Sequence, residues 1–153
     1  MRQWLKTKSF EEQAQLWPPD SSRFRYKLRV IMATRYDNAT DEEIIEQFEK
    51  AAREHGQATL AADPRTANAR YKHMLKLYER LKARGMAAQR QLLSLFGSDD
   101  GYVRYWAAAQ ALEFDAKRAV PVLEEIFENN SGLLRFDARM TLKHWRKSRL
   151  RLE

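Results

Sequence analysis

Apolar residues recur at helical spacing from Thr40 to the end of the chain, and alternate at period two in one short upstream stretch. Thr40-Asp41-Glu42-Glu43 has the form of a capping box, with a hydroxyl facing the third helical amide and a Glu reaching back. Ile44, Ile45, Phe48, Ala51 and Ala52 then mark one face of a helix. Asp63-Pro64 reads as a cap followed by proline at the first helical position, where its missing N–H costs nothing. Ala67, Tyr71, Met74, Tyr78 and Leu81 form the stripe of a helix of about 21 residues, roughly 31 Å at 1.5 Å per residue. Arg84-Gly85 closes it, because glycine tolerates the backbone of a helix stop.

Beyond Gly85 the pattern repeats itself. A shift of 31 residues aligns Ala88 with Ala119, Leu92 with Leu123, Phe96 with Phe127, Gly101 with Gly132, Arg104 with Arg135, and Ala107 with Ala138. Leu95 with Ile126, Val103 with Leu134, Tyr105 with Phe136 and Phe114 with Trp145 are conservative matches in the same register. Each unit has a short apolar helix, a polar turn (Ser98-Asp99-Asp100-Gly101 or Asn129-Asn130-Ser131-Gly132) and a second helix rich in small residues. The departures follow a rule: Ala108 becomes Arg139 and Leu112 becomes Lys143, while Leu134, Ala138, Leu142 and Trp145 stay apolar. That is the pattern of a terminal repeat whose outer face meets water. The register does not extend backward, so residues 40–84 are expected to be a divergent hairpin that completes the core. The sequence thus predicts an all-α chain, a short right-handed α-solenoid or alpha-alpha superhelix, with a hairpin at 40–84 and repeats at 86–114 and 116–147.

Val103-Arg104-Tyr105-Trp106-Ala107-Ala108-Ala109-Gln110-Ala111-Leu112, after an Asp-bearing turn, resembles the B helix of HEAT-like repeats. Pro121 after Arg118-Ala119-Val120 also resembles a HEAT position. The stretch 40–150 is similar to small bacterial single-domain proteins of unknown function built on HEAT-like repeats. The resemblance implies a helical stack and says little about activity. Bacterial proteins of this kind include immunity proteins that occlude a toxin domain, and other HEAT-like proteins are DNA glycosylases that cradle duplex DNA.

Residues 1–31 differ from the rest. Ser9-Phe10-Glu11-Glu12 fits a capping box, Phe10, Ala14 and Trp17 follow at helical spacing, and Pro18-Pro19 ends the segment. Arg23-Phe24-Arg25-Tyr26-Lys27-Leu28-Arg29-Val30 alternates basic and apolar residues like a strand, with no partner strand elsewhere in the sequence. Three readings fit: a mobile basic arm, an extra element packed on a domain spanning 32–153, or residues upstream of a natural start at Met32.

Charge changes the picture by its distribution. The chain of 153 residues has a net charge of +7, with seven Lys/Arg against three acids in 1–31 and five against one in 141–153. The stretch 32–140 is nearly neutral, with 16 basic and 17 acidic residues. A duplex-binding domain more usually carries a basic stripe through its folded body, so nucleic acid is the second reading. With no Cys the chain has no disulfide, Fe–S or thiol chemistry. The longest apolar run, Tyr105 to Ala109, is far short of a membrane span, and the basic N-terminus lacks the apolar core of a secretory signal. A cytoplasmic protein without a membrane partner is expected.

Catalytic chemistry finds little support. His55, His73 and His144 fall in different helices with no ligand at i+3 or i+4, so no metal and no cofactor is expected. Gly97-Ser98-Asp99-Asp100-Gly101 lacks the ending of a phosphate loop and reads as a helix cap. Adjacent acids such as Glu42-Glu43, Asp99-Asp100 and Glu124-Glu125 point about 100° apart on a helix and do not converge. Arg104 and Arg135 are expected to bind a turn carboxylate or carbonyl of a neighbouring layer. The function expected is a non-enzymatic protein-binding module, an immunity or adaptor protein being one form. Tyr102, Tyr105, Trp106, Phe136 and His144 are its candidate contacts on the B-helix face. For Tyr105 and Trp106 a place in the core is the competing reading.

Overall fold

Side-chain caps set where the helices begin. The computed structural model describes residues 38–150, and the expectations for residues 1–31 lie outside them. The Thr40 hydroxyl accepts from the Glu43 amide at 3.2 Å while the Glu43 carboxylate accepts from the Thr40 amide at 3.1 Å, opening α1 (Asp41–Leu60). Asp63 accepts from the Thr66 amide and hydroxyl and opens α2 (Pro64–Arg84), which has the 21 residues that its apolar stripe requires. Gly85, at φ +108°, ends α2 and starts α3 (Met86–Arg90), a backbone that L side chains rarely adopt. A 3-10 helix (Gln91–Gly97) follows, then α4 (Gly101–Ala111), α5 (Ala116–Asn129) and α6 (Gly132–Leu150). Asp100 accepts from the amides of Tyr102 and Val103, and Asp115 from that of Arg118. The acidic turn before α4 is therefore a cap, as its composition implies. The described residues are all-helical, with no strand among them.

The apolar segment Leu92–Phe96 lies within the 3-10 helix, the tighter form of the short apolar helix that the sequence predicts. The Ser94 hydroxyl donates to the Gln91 carbonyl at 2.7 Å, a local bond that competes with the α ladder.

The core runs through the whole stretch. Phe48 of α1 and Met74, Leu77 and Leu81 of α2 are almost fully excluded from water along the long hairpin. α4 packs against α1, the 3-10 helix, α5 and α6. Ala107, Ala108 and Ala111 give it faces without bulk, so neighbouring helices approach closely. Leu123, Ile126, Ala138 and Leu142 join Ala108 and Ala111 in one buried cluster, on which Phe96 and Phe127 both pack.

Burial follows the 31-residue offset. Ala88 and Ala119, Leu92 and Leu123, Leu95 and Ile126, Val103 and Leu134, and Ala107 and Ala138 are buried in both members of each pair. Phe96 and Phe127 are both half-buried, as are Phe114 and Trp145. The second face differs in the way the substitutions imply. Ala108 is buried and Leu112 half-buried, whereas Arg139 and Lys143 are exposed. The paired arginines also turn back within their own hairpins instead of reaching the next layer. Arg104 Nη1 donates to the Ser98 carbonyl at 2.6 Å, and the Arg135 guanidinium lies 4.3 Å from the centre of the Phe127 ring. The neighbouring-layer partner expected for them is thus replaced by the end of the preceding helix.

Candidate functional site

Positions i, i+3 and i+4 of a helix share a face, and in α4 these are Tyr102, Tyr105 and Trp106. α1 presents His55 to them and α2 presents Tyr71. The Trp106 ring lies 4.9 Å from His55, 5.0 Å from Tyr105 and 5.3 Å from Tyr71, centroid to centroid. Its indole N–H donates to His55 Nδ1 at 3.2 Å, which requires that nitrogen to be unprotonated. Burial holds the His55 imidazole below its ordinary pKa and so favours that state.

The five sequence candidates separate. Tyr102 is 8% and Tyr105 7% exposed, so the expectation that they offer open contacts is corrected: both rings are core. The physical reason is the hairpin that follows, because the Tyr105 hydroxyl and the Thr141 hydroxyl of α6 are 2.8 Å apart. Burial pushes the Tyr105 phenol above its usual range, and Thr141 partly offsets this. Trp106 is half-buried and belongs to both readings made of it, walled by His55, Tyr71 and Tyr105 with part of its surface open. Phe136 and His144 lie exposed on α6, and neither makes a ring contact with this cluster among the described residues.

Three features escape a reading of the sequence. Tyr71, at the open edge of the aromatic cluster, looks like one more residue of a core stripe. Asp137 is half-buried near Tyr102 and Tyr105, and burial raises its carboxyl above the usual range. An open cleft of about 560 Å³ runs between Leu60 at the end of α1 and Leu133 at the start of α6, with Tyr102 in its wall. None of these has a local sequence signature, since each depends on residues from separate helices. No group of three or more His, Cys, Asp or Glu that could hold a metal ion occurs among the described residues. No described helix is long and apolar enough to cross a membrane.

A family model described as a domain of unknown function (DUF2019) matches residues 42–145. The chain belongs to this family. The matched stretch begins in the first turn of α1 and ends in α6, so the DUF2019 domain includes the aromatic cluster and all its walls. The crystal structure of the protein RPA1889 from Rhodopseudomonas palustris CGA009 is similar at 27% identity and a TM-score of 0.69, over 72% of this chain and 91% of that one. No curated protein matches the chain.

Proposed function

We propose that residues 40–150 form a short right-handed α-solenoid of HEAT-like hairpins and act as a non-enzymatic protein-binding module. The stack reading is supported by the burial pattern that repeats at the 31-residue offset and by the hairpin α1–α2 lying against one side of α4. One observation carries the binding reading. Leu133 and Phe136 are each 55% exposed, whereas Tyr102 and Tyr105, their counterparts in the preceding unit, are buried. The last helix keeps large apolar side chains where no further helix of the described chain covers them. Clustered aromatic and aliphatic anchors of this kind mark contact surfaces, while singly scattered ones are ordinary. Leu60, 76% exposed across the cleft from Leu133, extends the patch. An immunity or adaptor protein of a bacterial system is the setting that the HEAT-like resemblance suggests.

The test uses the full chain and a Leu133→Ser/Phe136→Ser variant. Proteins captured from the native host are identified, and the purified partner is titrated calorimetrically, with duplex DNA titrated in parallel. A protein complex that survives moderate salt and is weakened about tenfold or more by the double substitution is expected. Association with DNA alone, falling by orders of magnitude over a roughly fourfold rise in salt, would overturn the proposal in favour of phosphate binding.

A further inference from the structure

The open side of the last hairpin is more than a solvated cap. Between α5 and α6 lies a groove of about 500 Å³, with Phe127 and Leu142 at its base and Arg139, Lys143, Lys147 and the exposed Leu150 at its edges. In the preceding unit the equivalent surface is Phe96, Ala108, Ala111 and Leu112, and there α5 and α6 cover it as part of the common core. The groove is thus the seat of a helical layer that the described chain does not supply.

Charge defines what kind of helix. Residues 139, 143 and 147 are four apart, so their cationic groups follow one line along α6, about 12 Å long at 1.5 Å per residue. Arg139, Lys143 and Lys147 make no ion pair among the described residues. Arg146, also at the groove, is matched by Glu124 at 2.8 Å. We infer that this groove docks an acidic amphipathic helix of a partner protein, its apolar face on Phe127, Leu142 and Leu150 and its carboxylates along the Arg139–Lys143–Lys147 line. A two-fold dimer through this groove is disfavoured, because it would set the same cations against each other. Duplex DNA would meet the cations and leave the apolar floor unmatched. The inference rests on the protein-binding reading and names the partner's chemistry.

The test is fluorescence anisotropy with the full chain and a labelled 18-residue helical peptide carrying Leu and Phe on one face and Glu on the other. A twin peptide with every Glu replaced by Lys and a 20-base-pair duplex serve as comparisons. The Glu peptide is expected to bind at least about tenfold more tightly than its twin. In the Arg139→Glu/Lys143→Glu variant that preference should reverse, and Leu150→Ala should weaken the Glu peptide while leaving the charge preference in place. These side chains are exposed, so an unchanged melting temperature accompanies the effect. No binding of the Glu peptide, equal binding of the two peptides, or a preference untouched by charge reversal would each overturn the inference. So would displacement of the peptide by the duplex with the same dependence on Arg139 and Lys143, which would make the surface a phosphate site. If the inference fails while a captured partner still depends on Leu133 and Phe136, the protein-binding reading stands and only the groove is excluded.

Discussion

Gly56 lies on the face of α1 that meets Tyr102, and a β-carbon placed there would stand 2.5 Å from Cγ and Cδ2 and 2.9 Å from Cβ of that side chain. The blocking atoms are the root of a buried ring, which cannot swing aside. Gly56→Ala gains about 1 kcal/mol of helix propensity and incurs an overpacking cost of about 1–3 kcal/mol. Net destabilisation is expected. Gly101→Ala is the contrast, because its closest neighbour is the flexible tip of Leu134, at 2.7 Å. Urea denaturation should rank Gly56→Ala clearly below wild type and leave Gly101→Ala within about 0.5 kcal/mol of it. Equal midpoints for the two variants would show that Tyr102 is free to move. Only part of the site is legible at this scale. The spacing of Tyr102, Tyr105 and Trp106 places them on one face, but whether that face is open depends on Thr141, 36 residues beyond Tyr105.

Elements are joined by contacts of the same long range. Glu113, in the turn after α4, accepts from the Tyr78 hydroxyl at 2.6 Å and from Lys82 Nζ, both on α2, while Gln89 of α3 donates to the Tyr78 oxygen at 3.1 Å. One carboxylate thus ties α2 and α3 to the end of α4. Lys82 and Tyr78, as donors, hold the Glu113 carboxyl below the usual range, and burial with Glu113 nearby raises the Tyr78 phenol. A carboxyl whose pKa is lowered by folding binds more protons in the unfolded chain. Its contribution is therefore full above the ordinary carboxylate value and is lost as pH falls through the lower folded one. Glu113→Gln should accordingly melt lower than wild type near neutral pH, with the gap closing as pH falls below the ordinary carboxylate range. A gap that persists unchanged into acid would mean that the group acts through shape and not charge. The caps at Thr40, Asp63 and Asp100 could be read from sequence because each bonds within three residues. The Glu113 junction could not, since nothing in the sequence signals a meeting with Tyr78, 35 positions earlier.

At the scale of the whole described stretch, the 31-residue offset is legible in sequence because five of its apolar pairs are buried in both members. The departures from the offset are legible too, since Ala108 and Leu112 are covered where Arg139 and Lys143, 31 residues on, are exposed. Stability should be graded in the same way. α4 touches α1, α5, α6 and the 3-10 helix, and its Val103, Ala107, Ala108 and Ala111 are fully excluded from water. α6 is buried through Leu134, Ala138 and Leu142, but from Arg146 to Leu150 it is exposed throughout. A helix end exposed on every side opens locally, whereas a helix packed on several neighbours opens only on global unfolding. Hydrogen exchange followed by mass spectrometry should therefore find the slowest amides in Gly101–Ala111 and the fastest helical ones in the last turns of α6. An added denaturant series should move the two apart at low concentration and bring them together near the unfolding midpoint. If α6 instead exchanges as slowly as α4 in the isolated chain, its outer face is already held, and a groove waiting for a partner helix would be inconsistent with that protection.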